Sequence, residues 1–183
     1  MMLEPLTNLR HWFDLKAGDW YEPVVVLDAC SGHLIGANTL RASYYPVFRR
    51  LRFDYIRTNI TTAGAAGALI RLGVYDDLNG YPNNLIVDSG DLNAAATGYV
   101  GATINVTLNP GVYWVACLTN DGAVQIPFSQ YTIPFTGSLN PQYLIEHYYV
   151  SYTYGALPAV FPAGASLSTY HFNIRLHIAE VLP

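Results

Sequence analysis

The chain has 183 residues, 51% of them hydrophobic and 14% aromatic, and a formal net charge of −4. That length suits one domain with an arm at one end, and it suffices for a two-sheet core. Charged residues make up only 12%, roughly half the usual share, and the acidic balance argues against a general nucleic-acid binder. No apolar run approaches the ~20 residues of a membrane helix. No basic segment followed by an apolar run marks a signal peptide. A chain this poor in charge is expected to hide surface against other protein, including copies of itself.

Residues 1 to 22 show no dominant period. Trp12, Phe13, Trp20 and Tyr21 are too apolar for a free tail. They pack either on the edge of the protein's own core or, as an arm, on a neighbouring subunit. The expected division is an arm over 1–22 and a β-sandwich over 23–183. Val24 to Leu27 reads as a short buried strand, Cys30 to His33 as a turn, and His33 to Ala37 as a second short strand. Leu51, Phe53 and Tyr55 alternate with Arg50, Arg52 and Asp54, the pattern of an amphipathic strand. Ile56 and Ile60 break that phase, which predicts a bulge near Tyr55 to Arg57. Small residues from Thr61 to Gly67 form a loop.

The stretch from Leu69 to Ala116 is the most regular. Ile70, Leu72 and Val74 alternate with Leu69, Arg71 and Gly73. Asp76 to Asn84 is dense in turn-forming residues and reads as a polar loop. Leu85-Ile86-Val87 is a short apolar strand closed by Asp88 to Asp91. After a turn at Thr97-Gly98, Ala102, Ile104, Val106 and Leu108 share a face. Asn109-Pro110-Gly111 turns the chain, with Pro fixing φ and Gly expected at positive φ. Val112, Trp114, Ala116 and Leu118 then point one way, and Tyr113, Val115 and Cys117 the other.

The runs Leu72 to Asp76, Asn79 to Pro82, Leu85 to Gly90, Thr97-Gly98 and Leu108 to Ala116 resemble a β-sandwich module of bacteriophage virion proteins of the tail-fibre, head-decoration and capsid type. The resemblance spans residues 50 to 120. It implies a two-sheet sandwich placed in a virus particle. Turn and core residues carry it, and these specify fold more than function.

From Leu92 to Ile174 the only charged residues are Asp121 and Glu146. Asn120-Asp121-Gly122 reads as a hairpin-type turn. The segment beyond is rich in Tyr and Phe and cut by Pro127, Pro134, Pro141, Pro158 and Pro162. Such loops suit a buried protein interface, a sugar or receptor site, or a cover for the chain's own sandwich. Tyr170, Phe172, Ile174, Leu176 and Ile178 face one way on a long final strand, with His171, Asn173, Arg175 and His177 opposite. Roughly eight to ten strand-like segments are present, enough for a jelly roll. The fold expected is therefore all-β: a two-sheet antiparallel sandwich, jelly-roll-like, with an N-terminal arm.

Catalytic and metal patterns are sparse. There is no Gly-x-Ser-x-Gly elbow, phosphate-binding glycine loop or His-Glu-x-x-His. Glu146 and His147 would point to opposite faces of a strand. His171 and His177 share a face but lie roughly 20 Å apart along it, too far for one metal. Asp76, Asp88 and Asp121 could supply an acid pair for glycoside hydrolysis, yet nothing selects two of them. Asp76, Asp77, Asn79 and Asn83 offer oxygens in one loop but lack the closing glutamate of a calcium loop. Cys30 and Cys117 fit no metal or redox spacing and are read as buried thiols or a disulfide. Arg49, Arg50, Arg52 and Arg57 cluster near Arg41, with Arg50 and Arg52 expected to pair with Asp54. Asn59-Ile60-Thr61 and Asn105-Val106-Thr107 match the glycosylation triplet.

These features predict a non-enzymatic building block of a bacteriophage virion, without cofactor or metal, acting as a capsid or head-decoration subunit. A tail-fibre or adaptor subunit and a host-glycan-binding module are the alternatives. The residues nominated for contact are Trp12, Phe13, Trp20 and Tyr21 in the arm, and Tyr148, Tyr149, Tyr152 and Tyr154 in the charge-poor half. A glycan binder would show a shallow cleft with one or two exposed aromatics flanked by Asp or Asn.

Overall fold

A computed structural model describes residues 15–22, 25–26, 31–129, 132–133, 147–168 and 170–183. In chain order the strands begin with β1 (Trp20–Tyr21), β2 (Val25–Val26), β3 (Ser31–Leu34), β4 (Thr39–Val47), β5 (Leu51–Ile60) and β6 (Leu69–Leu78). They continue with β7 (Tyr81–Asp88), β8 (Leu92–Asn93), β9 (Gly98–Leu108), β10 (Gly111–Thr119) and β11 (Gln125–Ser129). The last are β12 (Thr132–Ile133), β13 (His147–Ser151), β14 (Ser166–Ser168), β15 (His171–Phe172) and β16 (Arg175–Val181). No helix occurs among the described residues.

The ladders between these strands are antiparallel. One sheet has the order β1-β16-β5-β9, and a larger one runs β14-β13-β4-β10-β6-β7 with β8 also on β6. A three-stranded sheet, β15-β11-β3, and the pair β12-β2 complete the set. The protein is an all-β sandwich.

Its main core lies between the two larger sheets. Leu51, Phe53, Ile56, Leu176 and Ile178 from one meet Tyr45, Val47, Ile70, Leu72, Val74, Val115 and Cys117 from the other. The larger sheet also has a dry outer face. Leu40, Ala42, Tyr75, Trp114, Ala116, Leu118 and Tyr148 of β13 are covered there by Leu157, Phe161, Tyr152 and Tyr154. Strand β10 is thus buried on both faces, and its alternation is the one expected: even-numbered residues enter one core and odd-numbered residues the other. The cover sits close because Gly73 carries no side chain. A Cβ there would lie 2.3 Å from Cδ1 of Leu157 and 2.8 Å from the carbonyl oxygen of Val87.

Several local expectations are corrected. Asp76 to Asn84 is not a polar loop, because β6 and β7 run through it as a tight hairpin. Asn79 (φ 56°) and Gly80 (φ 82°) both take left-handed conformations, as a type I′ turn requires. Gly111 is not among the positive-φ glycines; Asn109-Pro110-Gly111 leads from one large sheet into the other. Asn120-Asp121-Gly122 is a turn but not a hairpin, since β10 and β11 belong to different sheets. Asp121 stabilises it by accepting from the backbone N–H groups of Ala123 and Ala65.

The final strand is broken. His171 and Phe172 pair with β11, whereas Arg175 onward pairs with β5. The N–H of Asn173 is taken by Pro127 and that of Ile174 by Phe172, so the chain changes sheet at that point. His171 and Phe172 are consequently both buried, and His171 does not share a face with His177.

The β5 irregularity lies between Phe53 and Tyr55 in its pairing with β9, slightly before the predicted position. Opposite β16, Tyr55 pairs with His177 and Phe53 with Ile178, which leaves Asp54 as the extra residue. This flips the phase: Tyr55 lies on the outer face of the sheet instead of in the core with Phe53.

A candidate ligand-binding groove on the four-stranded sheet

The phase flip builds the candidate site. Because side chains alternate along a strand, Tyr55, Arg57 and Asn59 of β5 share the outer face after the bulge. Register sets their neighbours. Trp20 is opposite His177, His177 opposite Tyr55, and Tyr55 opposite Thr103, one row across four strands. The next row is Arg175, Arg57 and Gly101. Asn59 lies opposite Tyr99 in the row beyond.

An open groove of about 520 Å³ lies on this face, bounded by Trp20, Asp54, Tyr55, Arg57, Tyr99 and His177. Tyr99 is the most exposed large hydrophobic side chain among the described residues, at 64%. Its neighbour Arg57 is held between two rings, with its Cζ 3.3 Å from the centroid of Trp20 and 4.3 Å from that of Tyr99. A guanidinium stacks on aromatic faces more readily than an ammonium does. Trp20 in turn meets the edge of Tyr55 at 6.2 Å and the ring of His177 at 5.1 Å. Asp54 Oδ1 lies 2.6 Å from His177 Nδ1, which fixes the imidazole at the groove wall.

A smaller hollow of about 230 Å³ adjoins the first and shares Arg57 and Tyr99 as its wall. Thr58, Asn59, Thr61, Pro127, Asn173 and Arg175 complete it. Arg175 Nη2 pairs with Glu22 Oε2 at 2.8 Å, and Asn173 Nδ2 donates to Glu22 Oε1 at 2.8 Å. Burial raises the Glu22 carboxyl above its usual range, opposed by the Arg175 charge and these hydrogen bonds.

Glycine makes room for the groove floor. A Cβ on Gly101 would fall 2.3 Å from the carbonyl oxygen of Ile56, 2.6 Å from the Tyr55 ring and 2.8 Å from Cβ of Arg57. The sequence signal was a lone glycine inside a strand, which marks a close approach. Tyr99 and Gly101 do not stand out in the sequence, because the alternation of Ala102, Ile104, Val106 and Leu108 marks only the core face of their strand.

The nominated contact residues are dispersed. Trp20 lines the groove, whereas Tyr21 is 3% exposed and lies in the chain's own core. Its hydroxyl donates to the carbonyl of Pro46 at 3.0 Å. Tyr148 on β13 and Tyr152 and Tyr154 after it are partly buried in the second core, and Tyr154 Oη donates to Asp91 at 2.8 Å. Tyr149 is 36% exposed and lies over Arg41. Trp12, Phe13, Cys30 and Glu146 lie outside the described residues.

Other candidates have structural employment. Asp76 accepts from Asn84, Asp77 from Gly80 and Trp114, and Asp88 from Arg71 and Leu157. The arginines do not form one patch. Arg52 pairs with Glu180 at 3.3 Å rather than with Asp54, whose partner is His177. Arg41 turns inward, its Nη1 2.9 Å from Nε2 of His147. Cys117 is a buried free thiol, pushed up to about 12 by burial.

The arrangement suits recognition of a saccharide. A pyranose has an apolar C–H face, which the negative face of an aromatic ring attracts, and a hydroxyl rim. Asp54, His177 and Thr103 supply donors and acceptors for that rim. The shallow form fits a chain or a terminal sugar better than an enclosed small molecule. No protein-family model matches this chain, and neither a curated protein nor a solved structure does so.

Proposed function

We propose that this β-sandwich is a non-enzymatic binding module that holds a saccharide in the groove of its four-stranded sheet. The observation that carries the reading is the exposed Tyr99 ring beside Arg57 and Trp20, with the hydrogen-bonded Asp54–His177 pair lining the same groove. The resemblance to bacteriophage virion modules supports a place on a particle, where the ligand would be a host-surface glycan. A printed saccharide array, followed by saturation-transfer NMR on the hits, tests it. Tyr99→Ala should lower affinity at least tenfold without changing the thermal midpoint. Binding that is unaffected by Tyr99→Ala and Trp20→Ala, or no saccharide binding at all, would overturn it.

A second reading, a capsid, head-decoration or fibre subunit built into an assembly with copies of itself, is supported by β9. This strand of 11 residues carries no charge and no proline, and it stands at the end of its sheet with β5 as its strand partner. Natural sheets usually guard such an edge with charge, proline or a cover. Under this reading the solution mass is a closed multiple of 20.2 kDa, and Asn105→Lys lowers it. A monomer at millimolar concentration would remove it.

A further inference from the structure

The two hollows differ in charge. The larger contains Asp54 beside His177 and the aromatic rings. The smaller is lined by Arg57, Arg175, Asn59, Asn173, Thr58 and Thr61, with no acidic side chain. Arg57 and Arg175 are direct cross-strand partners, and like charges placed this way repel. Glu22 relieves Arg175 at 2.8 Å. Arg57 has no carboxylate partner among the described residues. Its Nε is buried and makes no hydrogen bond, and two rings hold the guanidinium in place.

A fixed guanidinium lining the same hollow as a second one is a site for an anion. Arginine recognises a planar carboxylate with two parallel N–H donors. Rings that position the group beforehand reduce the ordering cost of binding. Asn59 and Asn173 add amide groups to the same hollow. Tyr99 borders both hollows, so a sugar stacked on it brings its neighbouring unit or its own substituent toward Arg57.

We infer that the smaller hollow takes a carboxylate borne by the saccharide, which makes the ligand an acidic sugar of the uronic or sialic type. The anion completes the charge balance that Glu22 provides for Arg175 alone. This inference rests on the saccharide reading of the larger groove and narrows its ligand.

The experiment compares matched probes on one array: oligogalacturonates against their methyl esters, sialyllactose against lactose, and the same neutral backbones carrying sulfate. Wild-type protein should retain carboxylated probes at least tenfold better than their neutral partners. Arg57→Gln should erase that preference, read as the ratio of acidic to neutral retention on the same array, whatever it does to overall affinity through the Trp20 and Tyr99 rings it holds. Should Arg57→Gln disturb folding, Asn59→Asp, which places a negative charge in the smaller hollow, should weaken acidic probes and spare neutral ones. Equal retention of acidic and neutral probes, unchanged in both variants, would overturn the carboxylate and leave the groove standing. Retention of sulfated probes alone would overturn it as well. No retention of any probe, with Tyr99→Ala indistinguishable from wild type, would overturn both.

Discussion

Inside the sandwich, Nη1 of Arg41 lies 2.9 Å from Nε2 of His147. Arginine has no acceptor and keeps its charge, so Nε2 accepts and the imidazole is neutral, with its proton on Nδ1. Burial and the Arg41 charge lower His147 to about 3. Burial alone lowers His171, another interior histidine, to about 4. Both groups therefore bind protons more readily in the unfolded chain than in the folded one, and unfolding takes protons up. Stability is complete above about pH 6.5 and falls as pH drops from there toward 4. At pH 5 the loss should be on the order of 2 kcal/mol for each histidine. Urea titrations from pH 7.5 to 4.5 check this, and His171→Phe should flatten the slope. A denaturation midpoint independent of pH over that range would contradict the assignment.

Trp114 is 3% exposed, and its indole donates to Asp77 Oδ1 at 2.8 Å. Trp114→Ala should cost about 3–5 kcal/mol. The loss is read by chemical denaturation. A midpoint equal to that of wild type would mean that the second core contributes nothing to stability.

Gly73→Ala should disturb the cover over the outer core without touching the groove. The added methyl meets the backbone oxygen of Val87 as well as the mobile end of Leu157, so repacking has to shift main chain. Overpacking of this kind costs about 1–3 kcal/mol. Limited proteolysis should then cut within residues 152–165 earlier than in wild type, while saccharide binding stays as it was.

Gly80→Ala isolates the hairpin. Nothing stands within 4 Å of the added atom, so only the φ of 82° opposes it. A cost of about 1 kcal/mol is expected, visible as a lower thermal midpoint. An unchanged midpoint would show that the turn relaxes freely.

Much of this architecture could be read from residue order. The alternations in β6 and β10 predicted which side chains enter each core, because period 2 leaves a strand two choices and burial selects one. The Asn79-Gly80 hairpin was hidden by the polar residues around it: Asp76 and Asn84 resemble loop residues but bond each other across paired strands, and Asp77 accepts from the Gly80 N–H within the turn. The groove was less legible. It depends on Asp54 being extra in one ladder, and a single inserted residue exchanges the faces of everything after it. Alternation counted from Leu51 therefore carried Tyr55 into the core. The charge-poor tyrosines from 148 to 154 were legible as apolar but not as to what they cover, since a surface loop over the chain's own sheet and a contact with a neighbour use the same side chains.

The dry strand β10 has one more consequence. It is a common wall: Val115 and Cys117 close one interior while Trp114, Ala116 and Leu118 close the other. Neither interior can be opened to water by melting β10 without flooding its twin. Heat should therefore dismantle both together, in one calorimetric peak whose enthalpy matches the van 't Hoff value.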